Sequence, residues 1–462
     1  MSFVLSRRDF LAGSLALAAA ETGDFPPDFL WGVSTSALQI EGAIGAGGRG
    51  PSIWETFAAR PGAIADGSTP AVACDHYHRW PQDVGLMKQL GIGVYRFSIA
   101  WPRVMPSGRA PANAQGLDFY DRLVDALLAS GIRPMPCLYH WDLPQALQDL
   151  GGWMKRDIAG WFADYATLVA NRLGDRVKDW FCLNEPSVAA IFGHAYADHA
   201  PGLAAGERGA LAALHHQNLA QGTALAALRG MATDARLGTI LSLQPVMPAT
   251  ASAVDRAAAI RWDAVWNRVA LDGVMRGQVP DVLAADLAAW VKPGDLEVIR
   301  FPLDWLGLNY YSPMVIQYQP GRLCDAGFAP AATPRRTAMG WPVVPEGLYQ
   351  MLVELRDLYG NPPILITENG AAYDDRPGRT GRVVDADRIA FLRDHLRQVV
   401  RAAADGCRVE GYFVWSLLDN WEWQFGYASR FGLVYVDYAT QRRLPKDSFA
   451  WYRAVTGSGR LP

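Results

Sequence analysis

The 462-residue chain is 50% hydrophobic and 19% charged, a composition that buries a large core and excludes a disordered polypeptide. Its 43 Lys and Arg against 46 Asp and Glu leave a net charge of −3, and the basic residues are scattered along the chain, which argues against a nucleic-acid partner. Trp occurs 17 times, as often as Phe and as often as Tyr, a surplus that serves equally to fill a core or to stack on sugar rings.

The first twenty residues are read apart from the fold. "SRRDFL" (6–11) sets Arg7 and Arg8 ahead of "AGSLALAAA", a short, small-residue apolar run, which is the pattern of a twin-arginine export signal and predicts a periplasmic address. The run is too short to span a bilayer, so no membrane anchor is expected. The remainder, 21–462, carries no linker, repeat or low-complexity tract and is read as one domain. Cys74, Cys137, Cys182, Cys324 and Cys407 are odd in number and lie mostly inside apolar runs, so buried thiols are expected in place of a disulfide framework. No Cys/His spacing fits a metal, and no cofactor is expected.

Along the chain, strand-like apolar runs recur as "FLWGVST" (29–35), "GVYRFSI" (93–99), "RPMPCLY" (133–139), "DWFCLN" (179–184), "LGTILSL" (237–243), "DWLGLNY" (304–310), "PILITEN" (363–369) and "GYFVWSL" (411–417). Amphipathic or Ala-rich segments lie between them, such as "LDFYDRLVDALLAS" closing at Gly131 and "DADRIAFLRDHLRQVVRAAADG", which read as helices with glycine stops. Eight nearly continuous apolar strands alternating with helices predict an α/β fold, a (β/α)8 TIM barrel with extended βα loops. The competing reading, a doubly wound sheet, wants a G-x-G-x-x-G turn directly after an early strand, and none follows one directly.

In such a barrel the carboxyl ends of the strands share one rim, where sites are built. His140 and Trp141 follow the third run, Asn184 and Glu185 the fourth, and Asn309 and Tyr311 the sixth, while Glu368 ends the seventh and Trp415 the eighth. Glu185 and Glu368 converge if the fourth and seventh strands face each other across the rim. Two carboxylates across a pocket suit glycoside hydrolysis, one as acid and base, the other attacking the anomeric carbon.

"FLWGVSTSALQIEG", "YRFSIAWPRVMPSG", "YHWDLP", "NEP", "ITENG" and "DNWEW", in this order, resemble glycoside hydrolase family one, the β-glucosidase family, over nearly the whole mature chain. The departures are local: Cys137 and Cys182 stand where the family often has Thr, and the loop 45–50 is Gly-rich. The resemblance implies a catalytic domain over 21–462, Glu185 as acid/base, Glu368 as nucleophile and a covalent glycosyl ester released by water with retention. It further implies that Asn184 holds the 2-hydroxyl, that Tyr311 orients Glu368, and that Gln39, His140, Glu422 and Trp423 bind sugar hydroxyls. Trp415 becomes the stacking floor, with Trp341 facing the leaving group. The partners are small β-glycosides or short oligosaccharides. A transglycosidase on the same scaffold and an inactive sugar-binding relative are the alternatives, the second opposed by the two intact glutamates.

Relatives that accept 6-phosphorylated sugars usually lack the pair held here by Glu422 and Trp423. An anionic Glu422 would repel a 6-phosphate, with Arg430 the one nearby offset. Unphosphorylated β-glucosides are therefore expected as substrates, with tolerance for β-galactosides and β-fucosides.

Overall fold

The computed structural model describes residues 25–231 and 234–461; the signal segment read at 1–20 lies outside these. Eight parallel strands close into a barrel in chain order: β1 (Leu30–Ser34), β2 (Val94–Ser98), β3 (Arg133–Tyr139), β4 (Asp179–Asn184), β5 (Arg236–Ser242), β6 (Trp305–Asn309), β7 (Ile364–Asn369) and β8 (Val409–Trp415). β8 returns to β1 with Leu30 opposite Gly411 and Ser34 opposite Trp415. Closure excludes the doubly wound sheet, whose edges stay open.

Each strand is followed by a helix on the outside: α1 (His76–Leu90), α2 (Ala114–Ala129), α3 (Ile158–Leu173), α4 (Gly206–Met231), α5 (Val269–Arg276), α6 (Glu346–Tyr359), α7 (Ala386–Ala404) and α8 (Asp447–Ser458). On α2 the buried Phe119, Tyr120, Leu123, Val124 and Leu127 recur at helical spacing and form the face laid on the barrel. Each such side chain contributes about 1.5–3 kcal/mol on burial. Gly91 and Gly360 end α1 and α6 at φ 75° and 73°, where a side chain would be strained.

Inside the barrel, Val94, Cys137, Phe181, Trp305, Leu365 and Phe413 belong to one apolar plug. The Trp305 ring stacks on Phe181 with centroids 5.4 Å apart. A Cβ at Gly238 would lie 1.9 Å from Trp305 Cδ1, so only glycine admits that ring. Strand side chains alternate, so Arg96, two residues beyond Val94, shares its inward face one layer higher. The plug is a floor, and the polar layer stands on it.

The loops above β5 and β6 carry a three-stranded sheet of Val246–Pro248, Met314–Tyr318 and Ala326–Phe328. Tyr310 Oη donates to the Val344 carbonyl at 2.7 Å, which draws together the two ends of the insert 312–343. All five cysteines are buried free thiols, as the sequence reading expects. The Trp surplus divides: Trp101, Trp153 and Trp180 are among those sunk in the core, while Trp141, Trp266, Trp341, Trp415 and Trp423 line one cavity.

Candidate active site

That cavity, of about 490 Å³, opens at the carboxyl ends of the strands. His140, Trp141, Glu185, Tyr311, Trp341, Glu368, Trp415, Glu422 and Trp423 form part of its wall. Gln39, Asn184 and Asn309 stand directly behind, bonded to wall residues. Gln39 Nε2 donates to Glu422 Oε2 at 3.0 Å, and Asn309 Nδ2 donates to Glu185 Oε1 at 3.0 Å. Asn184 Nδ2 lies 3.2 Å from His140 Nε2. All twelve residues singled out from the sequence thus gather at one place.

The sequence reading missed the residue at the centre of this arrangement. Arg96, fully buried, puts Nη1 2.5 Å from Glu368 Oε1 and Nη2 2.6 Å from Asn184 Oδ1. Its signal was in plain view: a lone cation inside the apolar run "GVYRFSI", which must find a countercharge if the run is a barrel strand. Tyr311 Oη donates to the other oxygen of Glu368 at 2.6 Å.

Trp141, Glu185 and Trp423 all adopt left-handed backbone, with φ of 74°, 48° and 51°. Non-glycine residues enter that region at a cost of about 1–3 kcal/mol each, and local bonds must hold them there. The Glu185 amide donates to the Ile240 carbonyl at 2.9 Å, and Trp141 Nε1 donates to the Asn184 carbonyl at 2.9 Å. The indole of Trp141 and the backbone turn at Glu185 are thereby locked to neighbouring strand ends.

Glu185, Glu368 and Glu422 feel one another's charge while only Glu368 touches the buried guanidinium, so they cannot all ionise together. Burial, and then the charge of Glu368, push Glu185 up to about 8. The same two causes push Glu422 up to about 8. Burial raises Glu368 as well, but Arg96 and the Tyr311 hydroxyl oppose that rise. Glu368, in direct contact with the cation, is the group that ionises first. Burial and Arg96 keep His140 neutral, its pKa well below the ordinary imidazole range.

Two sequence expectations are corrected here. Glu422, read as an anion, is held protonated near neutral pH by burial and by Glu368. Arg430, read as the one nearby offset to a phosphate, is not on the cavity wall, and its Nη1 bonds Asp419 at 2.8 Å.

A closed (β/α)8 barrel with two buried carboxyls at its rim, one charge-compensated and one held protonated, defines a glycosidase-type site. A sequence model of glycosyl hydrolase family 1 matches residues 21–460. β-Glucosidase A of Thermotoga maritima is 43% identical over 442 residues, spanning 95% of this chain and 98% of its own. A bifunctional β-D-glucosidase/β-D-fucosidase of Bifidobacterium breve is 46% identical, over 93% of this chain and 97% of its own. Among solved structures, a family 1 β-glucosidase from Thermotoga maritima superposes with a TM-score of 0.91 at 43% identity, covering 96% of this chain and all of the other. The psychrophilic β-glucosidase BglU of Micrococcus antarcticus gives a TM-score of 0.91 at 46% identity, over 95% of this chain and 98% of that one. The chain belongs to glycosyl hydrolase family 1. These relatives are named as glycosidases, which favours neither the transglycosidase nor the inactive binding protein.

Proposed function

We propose that the protein is a retaining β-glucosidase acting on unphosphorylated β-D-glucosides, with β-D-fucosides and β-D-galactosides as further substrates. The observation that carries this is the asymmetry between the two glutamates: Glu368 is gripped by Arg96 and Tyr311, while Glu185 has no cation in contact among the described residues and is raised to about 8. Glu185 gives its proton to the glycosidic oxygen as Glu368 attacks the anomeric carbon, so the aglycone leaves as a neutral alcohol. Esterified Glu368 no longer carries charge, and Glu185 then ionises readily and takes a proton from the incoming water. Asn184, fixed by Arg96, is placed for the 2-hydroxyl, Gln39 and Glu422 for hydroxyls at the far end of the ring, and Trp415 for its apolar face. Protonated Glu422 donates as well as accepts, which suits a sugar hydroxyl.

Selection against a 6-phosphate rests on the lack of a free cation. Among the described residues, the one Arg or Lys on the cavity wall is Arg336, whose Nη1 and Nη2 already serve the carbonyls of Gly340 and Ala331. A panel of nitrophenyl glycosides differing in sugar, anomer and 6-phosphorylation, with the configuration of the first-formed sugar followed by NMR, tests the reading. Preference for the 6-phosphate, or an inverted product, refutes it.

We also propose export by the twin-arginine route, supported by the residue pattern at 6–20. Replacing Arg7 and Arg8 with Lys should leave an active enzyme in the cytoplasm. Unchanged periplasmic activity would refute export by this route.

A further inference from the structure

We infer that the outer half of the cavity selects an aglycone carrying an aromatic ring over a second sugar, an inference that rests on the β-glucosidase reading. Few large apolar side chains are left exposed by this fold, yet two of them, Phe328 at 52% and Phe425 at 37%, lie on the cavity wall. Phe328 packs edge-on against Trp262 with centroids 5.1 Å apart, Trp262 stacks on Trp266 at 6.0 Å, and Trp266 meets Phe192 edge-on at 6.0 Å. Phe328, Trp266 and Phe192 all line the cavity, as Glu185 does, and Trp262, buried behind them, ties Phe328 to Trp266.

The polar groups along the way are either bonded within the protein or buried. Gln244 donates to Ser242 Oγ at 3.1 Å and accepts from the Ser312 amide at 3.3 Å. His199 lies beside Gln424, and burial pushes the imidazole down to about 4, so it is uncharged. The atoms left free on these side chains, His199 Nδ1, Gln424 Oε1 and Trp266 Nε1, are buried behind the wall. Among the described residues the wall holds no carboxylate besides Glu185, Glu368 and Glu422, the last two in the inner half. A second sugar entering here gives up water around its hydroxyls and finds few replacements, whereas an aromatic ring sheds water from an apolar face onto matching rings.

The test compares 2-phenylethyl β-D-glucoside with cellobiose. Both expel an alcohol that needs the acid's proton, and the sugar hydroxyl is the more acidic of the two, so a preference for the phenylethyl glucoside reports the cavity and not the leaving group. The expected result is a preference of about tenfold or more for the phenylethyl glucoside. In Phe328→Ala and in Phe425→Ala the ratio of kcat/KM for the phenylethyl glucoside to that for methyl β-D-glucoside should fall about threefold to fivefold. Both side chains are exposed, so the fold does not depend on them, and the wild-type comparison needs no variant. Equal or better cleavage of cellobiose overturns the proposal, as does an unchanged ratio in both variants. If none of these glucosides is cleaved, the β-glucosidase reading itself falls.

Discussion

Arg96 reaches across from β2 to grip Glu368 on β7, Nη1 to Oε1 2.5 Å, with 0% and 4% of the two side chains exposed. A buried carboxylate needs such a partner to stay charged. Arg96→Met should raise the pKa of Glu368, because the group that opposed the effect of burial is gone. Less of the nucleophile is then ionised at a given pH, so the acid limb of the kcat/KM profile should move to higher pH, with kcat down about 10²-fold or more. Arg96→Lys keeps the charge but not the second arm to Asn184, and should recover part of the loss. An acid limb that stays in place in Arg96→Met would show that Arg96 does not set the ionisation of Glu368.

The two glutamates should fail differently. Glu368→Ala should abolish turnover and regain it with azide or formate, giving a product of inverted configuration, because the small anion enters the nucleophile's space. Glu185→Ala should spare the first step for aglycones that leave without a proton. Identical behaviour of the two variants on every substrate would contradict the separate roles.

The basic limb of the same profile reads Glu185. Raised to about 8, it must be protonated to act as the acid, so activity on poor leaving groups should fall as pH rises through about 8. In an enzyme whose Glu368 is trapped as a glycosyl ester the like charge is absent, and Glu185 should titrate at lower pH by NMR. A pKa unmoved by trapping would remove Glu368 as a cause.

Glu185 also burdens the fold in a defined window. Its folded pKa of about 8 lies above the ordinary 4.5, so the native state binds the extra proton between those values, and stability falls as pH rises from about 4.5 to 8. Below that window both states are protonated and the contribution vanishes. Glu185→Gln removes the burden and should stabilise the protein by about 2–4 kcal/mol at pH 8, with little change at pH 4. Equal stability gains at both pH values in denaturant melts would point to packing instead.

The strands were legible because each is buried on both faces and reads as a nearly continuous apolar run, and Glu185 and Glu368 were legible because they break such runs at one end. Arg96 escaped notice because its countercharge is 272 residues away in sequence, and only closure of the barrel brings them together. The protonation of Glu422 depends on depth and on the nearness of Glu368, neither of which is written in "DNWEW". The aromatic outer wall comes from the insertions between strands and barrel helices, where Phe328 ends a short strand, Trp266 and Phe425 sit in short helical turns, and no period that sequence inspection detects connects them.

The bond from Tyr310 to Val344 means that the chain leaves the rim and returns to it at one spot. Between those points lies a collar, 312–343, paired with Val246–Pro248 and bearing Met314, Val315, Phe328, Met339 and Trp341 on the cavity. The reaction centre is anchored outside it, by Arg96 and Tyr311 on Glu368 and by Asn309 on Glu185. On the proposed reading, a collar of different sequence between the same two ends would change which aglycones are admitted while Glu185 and Glu368 keep their anchors.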